Sequence, residues 1–307
     1  IRGESPTGTH HIDIESHDKH VAFVDYLSFT FRNHDPIEDR FPLRDVILGL
    51  FNIPIDCCQL ANKGRNGYTH CITFGGFGSL SWGGESQRNT IHVQISGQGC
   101  KLISDWLAVY TWGISNDAKI TRLDLAHDDY TGVLLTIKKA MEWYDDGLFN
   151  TAGRPPKRRL IYDFDEGDGQ TFYVGSRGNP KFVRIYEKGR QLGDSESPWV
   201  RAEVEFLSKD QFITWEALLE PDAFLTGSYP AFAFLSEKQS RFERIGREAN
   251  LSLEKIIVWG RTSCGNLINA LCILHEEDFE KVINILRRDG IPKSLELHFE
   301  QHLREAT

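Results

Sequence analysis

Three short stretches hold side chains that could do chemistry together: "TRLDLAHDD" (121–129), "KFVRIYEKG" (181–189) and "VRAEVEFL" (200–207). Side chains alternate between faces along a β-strand. Read that way, the first stretch sets Arg122, Asp124, Ala126 and Asp128 opposite Leu123 and Leu125. The second sets Phe182, Arg184, Tyr186 and Lys188 opposite Val183 and Ile185, and the third sets Arg201, Glu203 and Glu205 opposite Ala202, Val204 and Phe206. Each polar face draws on the same kit of carboxylates, guanidinium groups, an ammonium and a phenol. Any one strand alone fits a half-solvated antiparallel sheet with ordinary cross-strand ion pairs.

Taken together they suggest phosphodiester chemistry. Carboxylates as close as Glu203 and Glu205 repel unless a cation sits between them, and hard oxygen ligands suit Mg²⁺ or Mn²⁺. Asp124 and Glu203 are the first-choice metal ligands, with Glu205 and Asp128 in reserve. A metal can polarise a phosphodiester while a phenolate attacks phosphorus. Arg184, Lys188 and Arg201 are expected to pull the Tyr186 pKa below its usual ~10 and to stabilise charge on the phosphoryl oxygens. The resulting phosphotyrosyl ester keeps the energy of the broken bond. A fourth strand, "IHVQI" (91–95), puts His92 and Gln94 on one face, where His92 could ligate the metal or be an ordinary structural histidine.

The elements that must position these groups follow from periodicity. "VAFVDYLSFTF" (21–31) reads as a strand with Asp25, Leu27, Phe29 and Phe31 on one side. Residues 36–53 have helical spacing, and the Gly-punctuated aromatic and β-branched run 68–100 reads as hairpins. A second strand, helix and strands succession follows over 119–207. The expectation is an α+β fold with antiparallel sheets in two similar halves, followed by a helical C-terminal segment. Residues 1–20 read as a polar tail, 21–215 as the catalytic domain and 216–307 as the helical segment, separable from the chemistry.

A net charge of −9 argues against non-specific coating of nucleic acid but permits a local basic groove. Arg122 and the "RPPKRR" run with Arg158 and Arg159 are candidate DNA contacts, though the run equally fits a solvated loop. Tyr173 reads as a structural aromatic. Six cysteines without a C-x-x-C pair point away from zinc and towards free thiols in a reducing cytoplasm. Nothing approaches the ~18-residue apolar run of a membrane span.

"VDYLSFTF", "HVQISGQGC", "TRLDLAHDD", "FYVGSRGNPKFVRIYEKG" and "WVRAEVEF", in this order, resemble the motifs of the replication initiation factor family. That family holds trans-acting rolling-circle plasmid initiators and filamentous-phage replication initiators. The resemblance implies a DNA strand transferase related to the His-hydrophobe-His endonucleases, with a degenerate metal motif in which Gln94 takes the second histidine's place. Tyr186 matches the family tyrosine, Lys188 its lysine, and Asp124 and Glu203 its acidic positions. It implies nicking of one origin strand, a 5′-phosphotyrosyl link and a free 3′-OH. The implied partners are origin DNA (single-stranded or a hairpin nick site) and a host helicase and polymerase in the bacterial cytoplasm, with a homodimer one option and the oligomeric state left open; no membrane is involved. A conjugative relaxase, a non-catalytic origin binder and a merely solvated polar sheet are the competing readings. Only the catalytic ones need Tyr186 and the carboxylates close in space.

Overall fold

The computed structural model describes residues 21–32, 41–87, 89–151, 153–162, 169–242, 253–276 and 278–287. The polar tail and the acidic stretch 163–168 lie outside the described residues. Period-2 patterning and Gly-rich turns produce a first half of β1 (Ala22–Arg32), α1 (Phe41–Leu50), β2 (Cys58–Leu60), β3 (His70–Phe74), β4 (Gly78–Trp82) and β5 (Thr90–Ile95). The short α2 (Gly97–Cys100) and α3 (Trp106–Ser115) lead into a second half. It repeats the path as β6 (Lys119–Asp129), α4 (Ile137–Asp145), β7 (Arg158–Tyr162), β8 (Gln170–Gly175), β9 (Lys181–Tyr186), α5 (Lys188–Gln191) and β10 (Val200–Leu207).

Both halves join in one ten-stranded sheet of order β2-β3-β4-β5-β1-β6-β10-β9-β8-β7. Outward from the antiparallel β1–β6 seam, the order is β5, β4, β3, β2 on one side and β10, β9, β8, β7 on the other. The halves are thus related by a topological two-fold. The expected α+β class and its two similar halves are present, but as one sheet, because pairing β1 with β6 leaves neither long strand as an open edge.

One sheet face is apolar and covered. Leu27, Phe29, Leu123, Leu125, Val183, Ile185 and Val204 on it are fully buried. The Phe29 ring lies 5.8 Å from Trp112 of α3 and 5.4 Å from Trp215. Trp215 Nε1 donates to the Ala118 carbonyl at 2.8 Å, and a Cβ at Gly113 would sit 2.5 Å from the indole, so only glycine lets α3 pack this closely.

A bulge decides which way Asp25 points. Val24 pairs with Leu125 and Tyr26 with Asp124, leaving Asp25 as an extra residue on β1. Bulges re-aim side chains, and Asp25 joins the polar face while Leu27, Phe29 and Phe31 stay on the apolar one. Strict alternation had placed all four on one side.

The expected boundary at residue 215 also moves. The chain divides into two compact units after Glu243. Residues 216–243 belong with the sheet because its apolar face needs covering: Ala217, Leu218, Leu225 and Phe232 are buried in the core, around α6 (Pro221–Ser228). The Ala22 amide donates to Asp222, and Lys181 to the Ser228 carbonyl at 2.6 Å. The second unit holds α7 (Leu253–Leu274) and α8 (Phe279–Leu286), the latter capped by Asp278. No helix among the described residues is long and apolar enough to cross a membrane, and the cysteines are free thiols.

Ending the chain after Glu243 should therefore preserve a cooperative thermal transition of the sheet unit, and ending it after Trp215 should abolish it. Phe232→Ala in the full chain should cost ~3–5 kcal/mol, measured by urea denaturation. A cooperative transition in the shorter truncation would overturn the boundary.

Candidate active site

The polar face of the second half is set by strand register. Arg201 lies opposite both Asp128 and Tyr186, Glu203 opposite Ala126 and Arg184, and Glu205 opposite Asp124 and Phe182. Across the seam Tyr26 lies opposite Asp124. The residues selected from sequence periodicity on β6, β9 and β10 thus converge on one patch, with the small Ala126 leaving room between Asp124 and Asp128.

Arginines and carboxylates interleave in this patch. Arg122 bridges Asp124 and Glu205, at 3.0 Å from the latter, with its guanidinium 4.3 Å above the Tyr26 ring. Arg184 bridges Glu203 and Asp124, at 3.4 Å from the latter. Arg201 grips Asp128 through two bonds of 2.7 Å and reaches Asp25 at 3.0 Å. Asp124, Glu203 and Arg201 are no more than 4% exposed, a degree of burial that ions tolerate only when paired.

Asp25, Asp124, Asp128, Glu203 and Glu205 outnumber these arginines. Burial pushes the Glu203 carboxyl up to about 8; Arg184 opposes the shift, while Asp124 and Asp25 add to it. Glu205 and Asp25 are raised by burial as well, against the pull of Arg122 and Arg201 respectively. The Tyr186 hydroxyl donates to Glu203 Oε2 at 3.5 Å. Its pKa is raised well above the usual phenol value, by burial first and Glu203 next, with Arg201 and Arg184 opposing. The expected lowering by Arg and Lys is therefore reversed in the protein alone: desolvation and two carboxylates, Glu203 and Asp25, outweigh two guanidinium groups. Lys188 lies just past the strand in α5, 5.6 Å from the Tyr186 ring centroid and donating to Gln191. Its ammonium is depressed by burial and by Arg201.

Other expected residues lie elsewhere or are committed. His92 is on β5, beyond β1 and β6 from the Glu203 strand. It stacks on Tyr68 and approaches Asn66 at 3.4 Å, and burial lowers its pKa, so it is a neutral ring in a different neighbourhood. Arg158 turns to the helix-covered face, where it pairs with Asp145 and lies over Tyr144. Arg122, expected on DNA, is held by Asp124 and Glu205. Arg159 is on the polar face, opposite Tyr173.

Asp25, Tyr26 and the α2 turn escaped the sequence reading. A Cβ at Gly97 would fall 2.9 Å from the Asp25 carbonyl and carboxylate oxygens, so the "SGQGC" turn presses directly on the site. The only signal for Asp25 was that it is the one acid in β1.

A divalent metal fits part of this donor set. Burial raises the Glu203 carboxyl and the neighbouring Asp124 adds to it; a cation held by both would relieve that strain. Among the described residues no group of three or more His, Cys, Asp or Glu side chains is arranged to hold a metal. Two carboxylates, with water and substrate phosphate, are the usual Mg²⁺ arrangement.

Comparison with known proteins gives first the class. The N-terminal domain described as that of a rolling circle replication initiation protein matches residues 21–112, and the family described as replication initiation factor matches residues 118–286. The two matches divide the sheet at its seam, one half each. The chain belongs to the replication initiation factor family. It is a rolling-circle replication initiator, of a family that acts by tyrosine transesterification. A solved rolling circle replication initiator protein from Geobacillus stearothermophilus is 27% identical over 61% of this chain and 74% of that chain, with a TM-score of 0.49. A search of curated proteins gave no match.

The raised Glu203 pKa sets a pH prediction. A carboxyl whose folded pKa lies above its unfolded value of 4.5 destabilises the fold progressively as pH rises from there to about 8. Glu203→Gln carries no such charge. In chelator, the variant's melting temperature should gain a few degrees on the wild type between pH 5 and pH 8.5, by scanning calorimetry. Parallel curves would show that Glu203 is an ordinary acid.

Proposed function

We propose that Tyr186 is the nucleophile of this initiator and that the patch around it is the nicking site. The observation carrying this reading is the 3.5 Å hydrogen bond between Tyr186 and Glu203 in a ring of paired arginines on one sheet face. Tyr26 is the other phenol in the patch, but the Arg122 guanidinium covers its ring and burial pushes its pKa to about 12, with Arg122 opposing.

Tyr186 Oη attacks phosphorus of the scissile phosphodiester. The Oη–P bond forms, the bond from phosphorus to the 3′ oxygen breaks, and the phenolic proton is balanced by the proton gained on the departing 3′-OH. Arg201, fixed by Asp128 and Asp25, faces Tyr186 across the strands and favours the phenolate as it forms. Arg184 offsets the Glu203 charge that holds the phenol neutral. Lys188 supplies a mobile cation beside the ring for the phosphoryl oxygens. Asp124 and Glu203 are the residues that would hold Mg²⁺ or Mn²⁺, which when bound would polarise the phosphodiester and cancel the carboxylate charge facing Tyr186. The free 3′-OH would then serve the host polymerase behind a helicase.

Tyr186→Phe keeps the ring and removes the attacking oxygen. It should fold, bind an origin strand with near wild-type affinity and form no covalent adduct. Denaturing electrophoresis of labelled DNA and mass mapping of the linked peptide check this; an adduct in the variant, or one mapped to Tyr26 in the wild type, would overturn the assignment. Asp124→Asn should cut adduct formation at least ~100-fold with binding largely retained, and chelator should do the same to the wild type.

A further inference from the structure

The polar face continues outward from Tyr186 into a region of opposite electrostatic character. Where β7, β8 and β9 meet, a groove is lined by Lys157, Arg159, Tyr173, Ser176, Arg177 and Phe182, and no carboxylate lines it among the described residues. The nicking patch has more acids than arginines, whereas Lys157, Arg159 and Arg177 here make no ion pair with a described residue. Arg177 acts on Glu205 only at longer range, as a cation that lowers its pKa.

The aromatic pair is equally distinctive. Tyr173 and Phe182 both line the groove and lie parallel, with ring centroids 5.5 Å apart and planes 8° apart; Phe182 is buried, and Tyr173 is the ring with exposed surface. Tyr173 pairs with Arg184 and Thr171 with Tyr186, so the rings share the nucleophile's face. Phe182 and Tyr186 are four residues apart on β9, ~13 Å at the rise of a strand. A few nucleotides of extended strand cover that span. Opposite Phe182 stands Gly175, with φ of 91°, so no β8 side chain covers it there, but Phe182 itself is only 4% exposed and serves as backing for Tyr173.

We propose that this groove is a single-stranded DNA subsite, in which an unstacked base lies on the Tyr173 ring, backed from beneath by Phe182, while Arg159, Arg177 and Lys157 hold the flanking phosphates. An aromatic face serves any base, and free cations track the backbone on either side of it. Duplex DNA keeps its bases stacked inside and offers the rings nothing, so the groove prefers the melted strand. The inference rests on the nicking-site reading only for its purpose, which is to anchor the strand at a fixed offset from Tyr186; the binding itself is testable without cleavage.

The test uses the full chain in chelator, with fluorescence anisotropy on labelled oligo-dT of about 16 nucleotides and on the matching duplex. Tyr173→Leu keeps apolar bulk for the sheet and removes the stacking face. It should weaken single-strand binding ~5- to 100-fold and leave duplex binding unchanged. Arg177→Gln, in the turn between strands, should lower the slope of log affinity against log salt by about 1. Oligonucleotides that are abasic throughout should bind wild type and Tyr173→Leu alike. Unchanged single-strand affinity in Tyr173→Leu, or equal losses on single strand and duplex, would overturn the proposal. If Tyr173→Leu fails to fold by circular dichroism, Arg177→Gln and the abasic strand on wild type decide alone: no change in salt slope and no loss with the abasic strand would overturn it. Loss of adduct formation in Tyr186→Phe with this binding intact would separate the subsite from the nucleophile.

Discussion

The central constraint on this molecule is the pairing of buried charge at the middle of its sheet. Asp124, Glu203 and Arg201 are almost wholly withdrawn from water, and an unpaired ion there would cost several kcal/mol. Arg122, Arg184 and Arg201 each span two carboxylates carried on different residues. The pairs Arg184–Glu203 and Arg201–Asp128 exist only if β6, β10 and β9 hold one register. A slip of one residue would drive the whole polar set into the apolar core. The chemistry and the strand alignment are therefore specified by the same side chains.

The two-fold arrangement distributes these tasks unequally. The first half meets the second along β1 and β6, and contributes to the charged patch only near that seam, through Asp25 and Tyr26. Its corresponding strand β5 carries His92 and Gln94 among Tyr68, Asn66 and neutral neighbours. The second half supplies Asp124, Asp128, Glu203, Glu205, Tyr186 and the basic residues beyond them. A sheet doubled in this way leaves one half free to specialise while the other braces it.

Much of this was legible in the chain. Across 122–126 of β6, 183–186 of β9 and 201–205 of β10 the polar positions alternate with apolar ones, so the face of Asp124, Tyr186 and Glu203 followed from spacing alone. Asp25 did not, because a bulge leaves no mark in an alternation pattern and is settled by pairing with β6. Residues 216–232 have helical spacing in common with α7, and only tertiary packing onto Phe29 and its neighbours assigns them to the sheet unit. His92 sits two positions from Gln94 in a plausible ligand pattern, yet the distance between strands, which sequence does not record, separates it from the acids. The direction of the Tyr186 shift was likewise hidden, since burial has no signature in residue type.

The outer strand β7 has a further consequence for how the protein behaves in company. All five of its residues are exposed, and Leu160, Ile161 and Tyr162 follow one another along it. One side of this strand is an edge of the sheet, with backbone donors and acceptors that another molecule's strand could match. Pro155 and Pro156 precede it, and Lys157, Arg158 and Arg159 crowd its entrance with like charge. A second copy approaching edge to edge would bring those cations together and would find no amide at the prolines. The same basic stretch that gives the groove its sign thus keeps this edge from seeding aggregation when the protein accumulates.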